Sequence, residues 1–330
     1  MNDLEQLLKL VENNNSFVIT THVNPDGDAI GSELALARYL KNIGKRVNII
    51  NHSNTPEFLR FMLKTDDEVE VFNADIHTEI IKQADVIILL DLNQLNRTGN
   101  LEKHIRDSKA KKICIDHHEF PEDFADVEIF DTEKSSTGEL IYDLLEEVNC
   151  KIEYNIALPL YVAILTDTGS FKYDRTTPRV HRIVAQLLET GIDTKTVYRE
   201  VYDQGSAGRI QLLGRALSSL TLFSNGKASY MIITSKDLNE TGTTEEDVEG
   251  FVNYNLTIKG VKVGIFFFEL DNGTKASFRS VSKVPVNKLA KEFGGGGHFH
   301  AAGARFAGME LQNVIEQVIN KAEKYISEFL

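Results

Sequence analysis

The residues able to do chemistry gather at the ends of apolar runs. Residues 21–32, THVNPDGDAIGS, put His22, Asp26 and Asp28 between the strand-like SFVIT and the helical ELALARYLKNIG. Three later segments repeat the arrangement: VIILLDLN presents Asp91, KKICIDHHEF presents Asp116, His117 and His118, and YVAILTDTGSF presents Asp167. A turn and a helix cap would account for any one of these alone. Four such segments point to one shared site. Brought together, His22, Asp26, Asp28, Asp91, His117 and Asp167 would be self-repulsive without cations. Two divalent ions relieve that, and carboxylates with some imidazole suit Mn²⁺ or Mg²⁺. A structural zinc site would need thiolates, and Cys114 and Cys150 have no partner at ligand spacing. Two ions about 4 Å apart lower the pKa of water and clamp the attacking and leaving oxygens of a phosphoryl transfer.

A second set of residues suits an anion. In FGGGGHFHAAGARF, Gly295, Gly296 and Gly297 let backbone N–H groups approach a phosphate, and His298 follows at once. No Lys-Ser or Lys-Thr follows the glycines, so this is not a nucleotide-binding P-loop. Arg279 and Ser280 in SFRS are further candidates, because an arginine fork suits a terminal phosphate. His52, His77, His104 and His181 stand alone among polar residues and read as surface histidines. Cys114 reads as a packing residue, and His300 receives no role.

An open parallel sheet would position the first set, because ligands bind outside the carboxyl ends of its strands. Strand-like segments at 17–20, 46–50, 86–90, 112–115 and 127–130 alternate with helical patterns. Ile30, Leu34, Ala37, Leu40 and Ile43 share one helical face, with Gly44 placed to end the helix. A helix over 156–166 carries Pro159 in its first turn, and Thr177-Pro178 starts one that runs to 190, ended by Gly191. Residues 194–220 read as a helical connection capped in part by Ser206. Beyond it, Asn225-Gly226 and Asn272-Gly273 mark hairpins, and helices are expected near 244–254, 287–293 and 310–328. The expected fold class is α/β. A parallel-sheet domain at 1–192 is joined by a helical linker at 193–215 to a smaller α+β domain at 216–330.

The 330 residues suffice for two cores, and 42% hydrophobic with 26% charged residues is ordinary for a soluble chain. Two cysteines argue against a disulfide framework and fit a reducing cytoplasm. The acidic, amphipathic opening lacks the basic start of a secretory leader, and no apolar run is long enough to span a bilayer. The net charge of −13 disfavours a grip on long polyanions. A phosphorylated substrate should therefore be short, or be met by a local cluster of cations.

The ordered set His22-x3-Asp26-x-Asp28, Asp91, Asp116-His117-His118 and Asp167 resembles the DHH phosphoesterase superfamily. FGGGGHFHAAGARF resembles the glycine-rich signature of its accessory DHHA1 domain. The resemblance covers nearly the whole chain, and the two-domain size looks like the bacterial oligoribonuclease branch, the nanoRNase and 3′-phosphoadenosine-5′-phosphate phosphatase type. It implies that His22, Asp26 and Asp91 hold one Mn²⁺, and Asp28, Asp91, His117 and Asp167 the other, with Asp91 bridging. His118 would face the scissile phosphate, as a phosphate contact or as proton donor to the leaving oxygen, and Asp116 would orient the imidazoles. Gly295, Gly296, Gly297 and His298 would receive the terminal phosphate.

The activity so implied is Mn²⁺-dependent hydrolysis of short oligonucleotides, down to dinucleotides, to nucleoside 5′-monophosphates. Removal of phosphate from 3′-phosphoadenosine-5′-phosphate is implied alongside it. A phosphodiesterase for pApA or cyclic di-AMP would use the same ligands, whereas a non-catalytic RNA-binding module would have no need of them. The partners expected are short single-stranded oligonucleotides and phosphorylated nucleotides, in the cytoplasm, with a homodimer left open and neither long duplex nor membrane involved.

Overall fold

The computed structural model describes residues 3–118, 121–281 and 283–329. The first two residues of the predicted opening helix, and the last two of KKICIDHHEF, lie outside the described residues. The chain divides into two compact units, 1–204 and 205–330.

The first unit runs α1 (Asp3–Asn13), β1 (Ser16–Thr20), α2 (Gly27–Asn42), β2 (Arg46–Asn51), β3 (Glu70–Val71), α3 (Ala74–Gln83) and β4 (Val86–Leu90). It continues through α4 (Glu102–Asp107), β5 (Lys111–Asp116), β6 (Val127–Phe130), α5 (Thr137–Glu147), α6 (Tyr154–Asp167), α7 (Pro178–Leu188) and α8 (Thr194–Tyr202). Its sheet has the order β3-β2-β1-β4-β5-β6 with every pair parallel. Strand order therefore reverses between β1 and β4, the position at which an open α/β sheet leaves a crevice at its carboxyl edge. Strand β4, VIILL, is buried at every residue, as a central parallel strand covered on both faces must be.

Two expectations need correction here. Pro159 lies in the interior of α6, not in its first turn, because the helix begins at Tyr154. A proline leaves the carbonyl four residues back without its helical donor. The buried Arg38 guanidinium supplies one, donating to the Asn155 carbonyl at 2.6 Å while pairing with Glu68. His77 is buried rather than on the surface: its ring accepts from Asn73 N–H and lies 3.1 Å from Glu70. The helical connection expected at 193–215 divides between the two units. Val197 of α8 is buried in the first core, whereas Leu212 and Ala216 of the next helix are buried in the second. The two helices thus belong to different units.

The second unit comprises α9 (Ala207–Ser218), β7 (Thr221–Phe223), β8 (Ala228–Ile233), α10 (Ser235–Thr241), β9 (Val263–Leu270) and β10 (Gly273–Ser280). Then come α11 (Val286–Lys291), β11 (Gly296–His298), β12 (Ala301–Ala307) and α12 (Leu311–Phe329). Its sheet, β11-β12-β10-β9-β8-β7, is mixed, with β8 and β9 parallel and the remaining pairs antiparallel. The helix expected near 244–254 is instead two 3-10 turns, Glu245–Val248 and Phe251–Thr257, divided at Gly250 with φ 82°. Among the described residues no helix is long and apolar enough to cross a membrane.

Candidate metal centre

Strand ends and helix starts deliver the acidic residues of the first unit to one place. β1 ends just before Thr21 and His22, and Asp26 then caps α2, its Oδ1 accepting from the N–H groups of Asp28 and Ala29. Asp28, in the first turn of that helix, is fully buried. Its Oδ1 accepts from Gly138 N–H at 2.8 Å and its Oδ2 from Thr137 N–H at 2.7 Å. Those donors are the free amides at the N-terminus of α5, where a helix favours negative charge. Position 138 must be glycine, since a Cβ there would stand 2.5 Å from the Ala163 methyl.

Asp91 follows β4 directly and adopts φ 57°, a left-handed conformation unusual for a residue with a side chain. This bend brings its carboxylate to the middle of the group. Oδ2 lies 3.2 Å from His22 Nε2, while Oδ1 accepts from the Thr137 hydroxyl and lies 3.7 Å from both His117 Nε2 and His118 Nδ1. Asp167, the last residue of α6, comes within 3.4 Å of His117 Nε2, and Asp28 within 3.8 Å. Two sets, His22–Asp26–Asp91 and Asp28–His117–Asp167, each hold one ligand atom per residue within 4.8 Å of one another; Asp91, His117 and His118 form a third.

The hydrogen bonding of the two imidazoles tests whether this group fits cations. His117 Nδ1 faces the Lys134 carbonyl at 3.3 Å, which fixes its proton there and leaves Nε2 a lone pair. That buried Nε2 has no hydrogen-bond partner, yet three carboxylates surround it. Lone pairs facing lone pairs are reconciled by a positive ion between them. Burial, the largest cause, lowers the His117 pKa and keeps the ring neutral, the form that ligates. His22 likewise gives Nδ1 to the Val23 carbonyl, so its Nε2 faces Asp91. The donors fit divalent ions of oxygen-preferring type.

Acidities report the same crowding. Burial, and then the charge of Asp91, push Asp167 up to about 7 and hold Asp28 well above the usual carboxylate range. The same two causes raise Asp26. For Asp91, burial acts upward but is outweighed by the His22 hydrogen bond and the neighbouring imidazoles, so its carboxyl stays low. His118 sits beside this group. Asp116, buried, accepts from its Nδ1 at 2.7 Å, and this bond with the Asp91 charge outweighs burial to raise the His118 pKa. Nδ1 is thereby occupied, leaving Nε2 as the working nitrogen.

Two supports escaped the sequence reading. Thr137 and Gly138 belong to SSTGE, whose Ser136 caps α5 by accepting from Glu139 N–H. The Ser-x-x-Glu spacing marks such a helix start. The other support is the buried chain Glu33–Asn51. Asn51 Nδ2 donates to Glu33 Oε2 at 2.8 Å, and its Oδ1 accepts from Thr20 and Thr21, directly ahead of His22. Nothing in ELALARYL distinguishes Glu33 from a solvated helix residue.

In the second unit the predicted anion-binding residues form part of a sheet. Gly296, Gly297 and His298 make up β11, an exposed strand at the sheet edge, paired with Gly303, Ala302 and Ala301. Ala301 also pairs with Arg279, so His298, Ala301 and Arg279 stand in a row on one face. Two glycines have a structural reason as well: a Cβ at Gly295 would meet the Gly303 carbonyl at 2.1 Å, and one at Gly297 the Ala301 carbonyl at 2.5 Å. Ser280 alternates to the buried face. Its hydroxyl donates to the Val284 carbonyl and lies 3.0 Å from His300 Nδ1, so the structure does not bring it beside Arg279 and His298.

A parallel sheet that carries an acid- and histidine-rich group at its switch point, followed by a mixed-sheet unit with a glycine-histidine edge, is the architecture of the DHH phosphoesterases. The chain belongs to that family: residues 16–164 match the DHH family N-terminal domain and residues 225–328 the DHHA1 domain. It is 30% identical to the bifunctional oligoribonuclease and PAP phosphatase NrnA of Thermus thermophilus, over 98% of this chain and 93% of the relative. To the protein of the same name from Bacillus subtilis it is 28% identical, over 91% of this chain and 92% of that one. A solved structure, an exopolyphosphatase-related protein from Bacteroides fragilis, is similar with TM-score 0.93 and 35% identity, covering 98% and 97% of the two chains.

Proposed function

We propose that this chain is a two-metal phosphodiesterase of the cytoplasm. It hydrolyses short oligonucleotides, down to dinucleotides, to nucleoside 5′-monophosphates and also removes phosphate from 3′-phosphoadenosine-5′-phosphate. The observation that carries the reading is the unpartnered His117 Nε2 ringed by Asp28, Asp91 and Asp167. The names of the Thermus and Bacillus relatives supply the substrate class.

His22, Asp26 and Asp91 would hold one ion and Asp28, Asp91, His117 and Asp167 the other, Mn²⁺ in preference to Mg²⁺, with Asp91 shared. When bound, such ions supply a nucleophile at neutral pH and the positive charge that phosphoryl transfer needs. The chain's own residues do the rest. The amides of Thr137 and Gly138 hold the Asp28 carboxylate in place. Asp116 fixes the His118 ring and favours its protonated form, so His118 Nε2 can give a proton to the leaving oxygen. In the second unit, Arg279, His298 and the backbone of Gly295–Gly297 would bind a terminal phosphate, with Ser280 supporting that strand from its buried face.

A side-by-side assay with Mn²⁺ on pApA, a pentanucleotide, a long RNA and 3′-phosphoadenosine-5′-phosphate tests the reading. The expected profile is cleavage of both short substrates to 5′-monophosphates and dephosphorylation of the fourth, with long RNA spared. Cleavage of pApA alone would assign the chain to dinucleotide second-messenger turnover; inertness on all four would end the proposal.

A further inference from the structure

The 3-10 turn Leu95–Leu101, just beyond Asp91, is held from several sides by its backbone. Val23 N–H, next to His22, donates to the Arg97 carbonyl at 2.8 Å. Leu95 N–H donates to Glu122, and Asn100 N–H to His52 Nδ1. Gly99, at φ 60°, has no room for a side chain, since a Cβ would stand 2.5 Å from His52 Nδ1. The turn is therefore fixed against the loop that carries His22.

Its one cationic side chain is not used by the fold. Arg97 is half-buried, yet among the described residues its guanidinium makes neither a hydrogen bond nor an ion pair. Comparable arginines are engaged: buried Arg38 pairs with Glu68, and half-buried Arg179 with Asp143 and Glu146. In a chain with 49 acidic and 36 basic residues, an idle half-buried arginine is an anomaly. Its position gives the explanation. The backbone bond to Val23 holds Arg97 beside the loop that carries His22, and its charge is felt at His118. A half-buried guanidinium left without a partner beside such a centre is explained by an anion that it can touch.

We propose that Arg97 is a substrate-contacting residue, whose guanidinium takes non-bridging oxygens of the phosphate presented on the His118 side of the metal centre. An arginine fork suits that geometry because it offers two parallel N–H donors to a phosphate. The inference deepens the phosphodiesterase reading and rests on it.

The test compares wild type, Arg97→Ala, Arg97→Lys and Arg97→Met on pApA with Mn²⁺, alongside thermal unfolding and equilibrium binding of adenosine 5′-monophosphate. Arg97→Ala should lower kcat/KM by about 10²-fold, the loss typical of one transition-state donor, and weaken nucleotide binding at unchanged Tm. Arg97→Lys should recover part of it, since charge remains and the fork does not. Should Arg97→Ala lower the Tm, Arg97→Met, which keeps an apolar stem, decides: activity restored overturns the contact, activity still lost supports it. An active wild type with an equally active Arg97→Ala overturns the arginine assignment alone. An inert wild type overturns the functional reading, and this inference with it.

Discussion

The acidic group of the first unit and the glycine-histidine edge of the second were both visible in the sequence, yet they are built on opposite principles. The first is buried, electrostatically frustrated and held by more bonds than packing requires: amides from α5 on Asp28, a left-handed bend at Asp91, carbonyls fixing both imidazoles. The second is exposed, a short edge strand whose glycines allow close backbone approach. A site that must hold charge away from water needs such over-determination. A surface proposed to meet a flexible phosphate would need only a row of donors. Substitutions in the first should therefore destroy function, whereas those in the second should weaken affinity.

The largest effect is expected at Asp91, which touches both ligand sets. Asp91→Asn keeps the side-chain shape but removes the shared charge, and Mn²⁺-dependent hydrolysis should fall by about 10³-fold or more. The fold should survive, since Asp91 adds repulsion to Asp28, Asp167 and Asp26. Substantial residual turnover would separate Asp91 from the centre.

Metal affinity supplies the next contrast. Ligands must be ionised to bind, and Asp167 titrates at about 7 before a cation arrives. Calorimetric affinity for Mn²⁺ should thus rise from pH 6 to pH 8, and chelation should lower the Tm. A saturating ion at 100 times its Kd adds about 2.7 kcal/mol. Affinity flat across that range would place the ion elsewhere.

At the other region, His298→Ala should raise KM for pApA by about tenfold and leave kcat nearly unchanged, as loss of uniform binding does. The Tm should not move, because the His298 side chain lies on an exposed strand. A kcat effect as large as that of Asp91→Asn would erase the distinction between the two regions.

The same distinction explains what the sequence made legible. Apolar runs ending in Asp or His identified β1, β4, β5 and α6, because a buried strand and the polar residue after it share one short window. The topology that brings those ends together follows from the parallel alternation. Long-range partners left no local trace: Arg38 rescuing the Asn155 carbonyl, Glu70 and Asn73 burying His77, Val284 taking the Ser280 hydroxyl. The two-residue strand β3 and the 3-10 turns around Gly250 are too short for periodicity to reveal. Arg97 was hidden for another reason, since its interest lies in the partner it lacks.

The smallest effect concerns the brace behind the centre. Glu33 is fully buried, with one oxygen accepting from Asn51 and the other unpartnered. Burial, against the Asn51 bond and with help from the Asp91 charge, pushes its pKa from 4.5 up to about 8. Folding therefore holds a proton that the unfolded chain releases. Its contribution to stability is fully present below pH 4.5, declines between 4.5 and 8, and is level above that. The decline has a limiting slope of about 1.4 kcal/mol per pH unit, shared with the neighbouring carboxylates. Glu33→Gln keeps a hydrogen-bonding amide without the titration. In chelator, the variant should match wild type near pH 5 and exceed its Tm progressively toward pH 8. A Tm difference independent of pH would mean that Glu33 is ionised throughout, and that the brace beneath His22 carries charge after all.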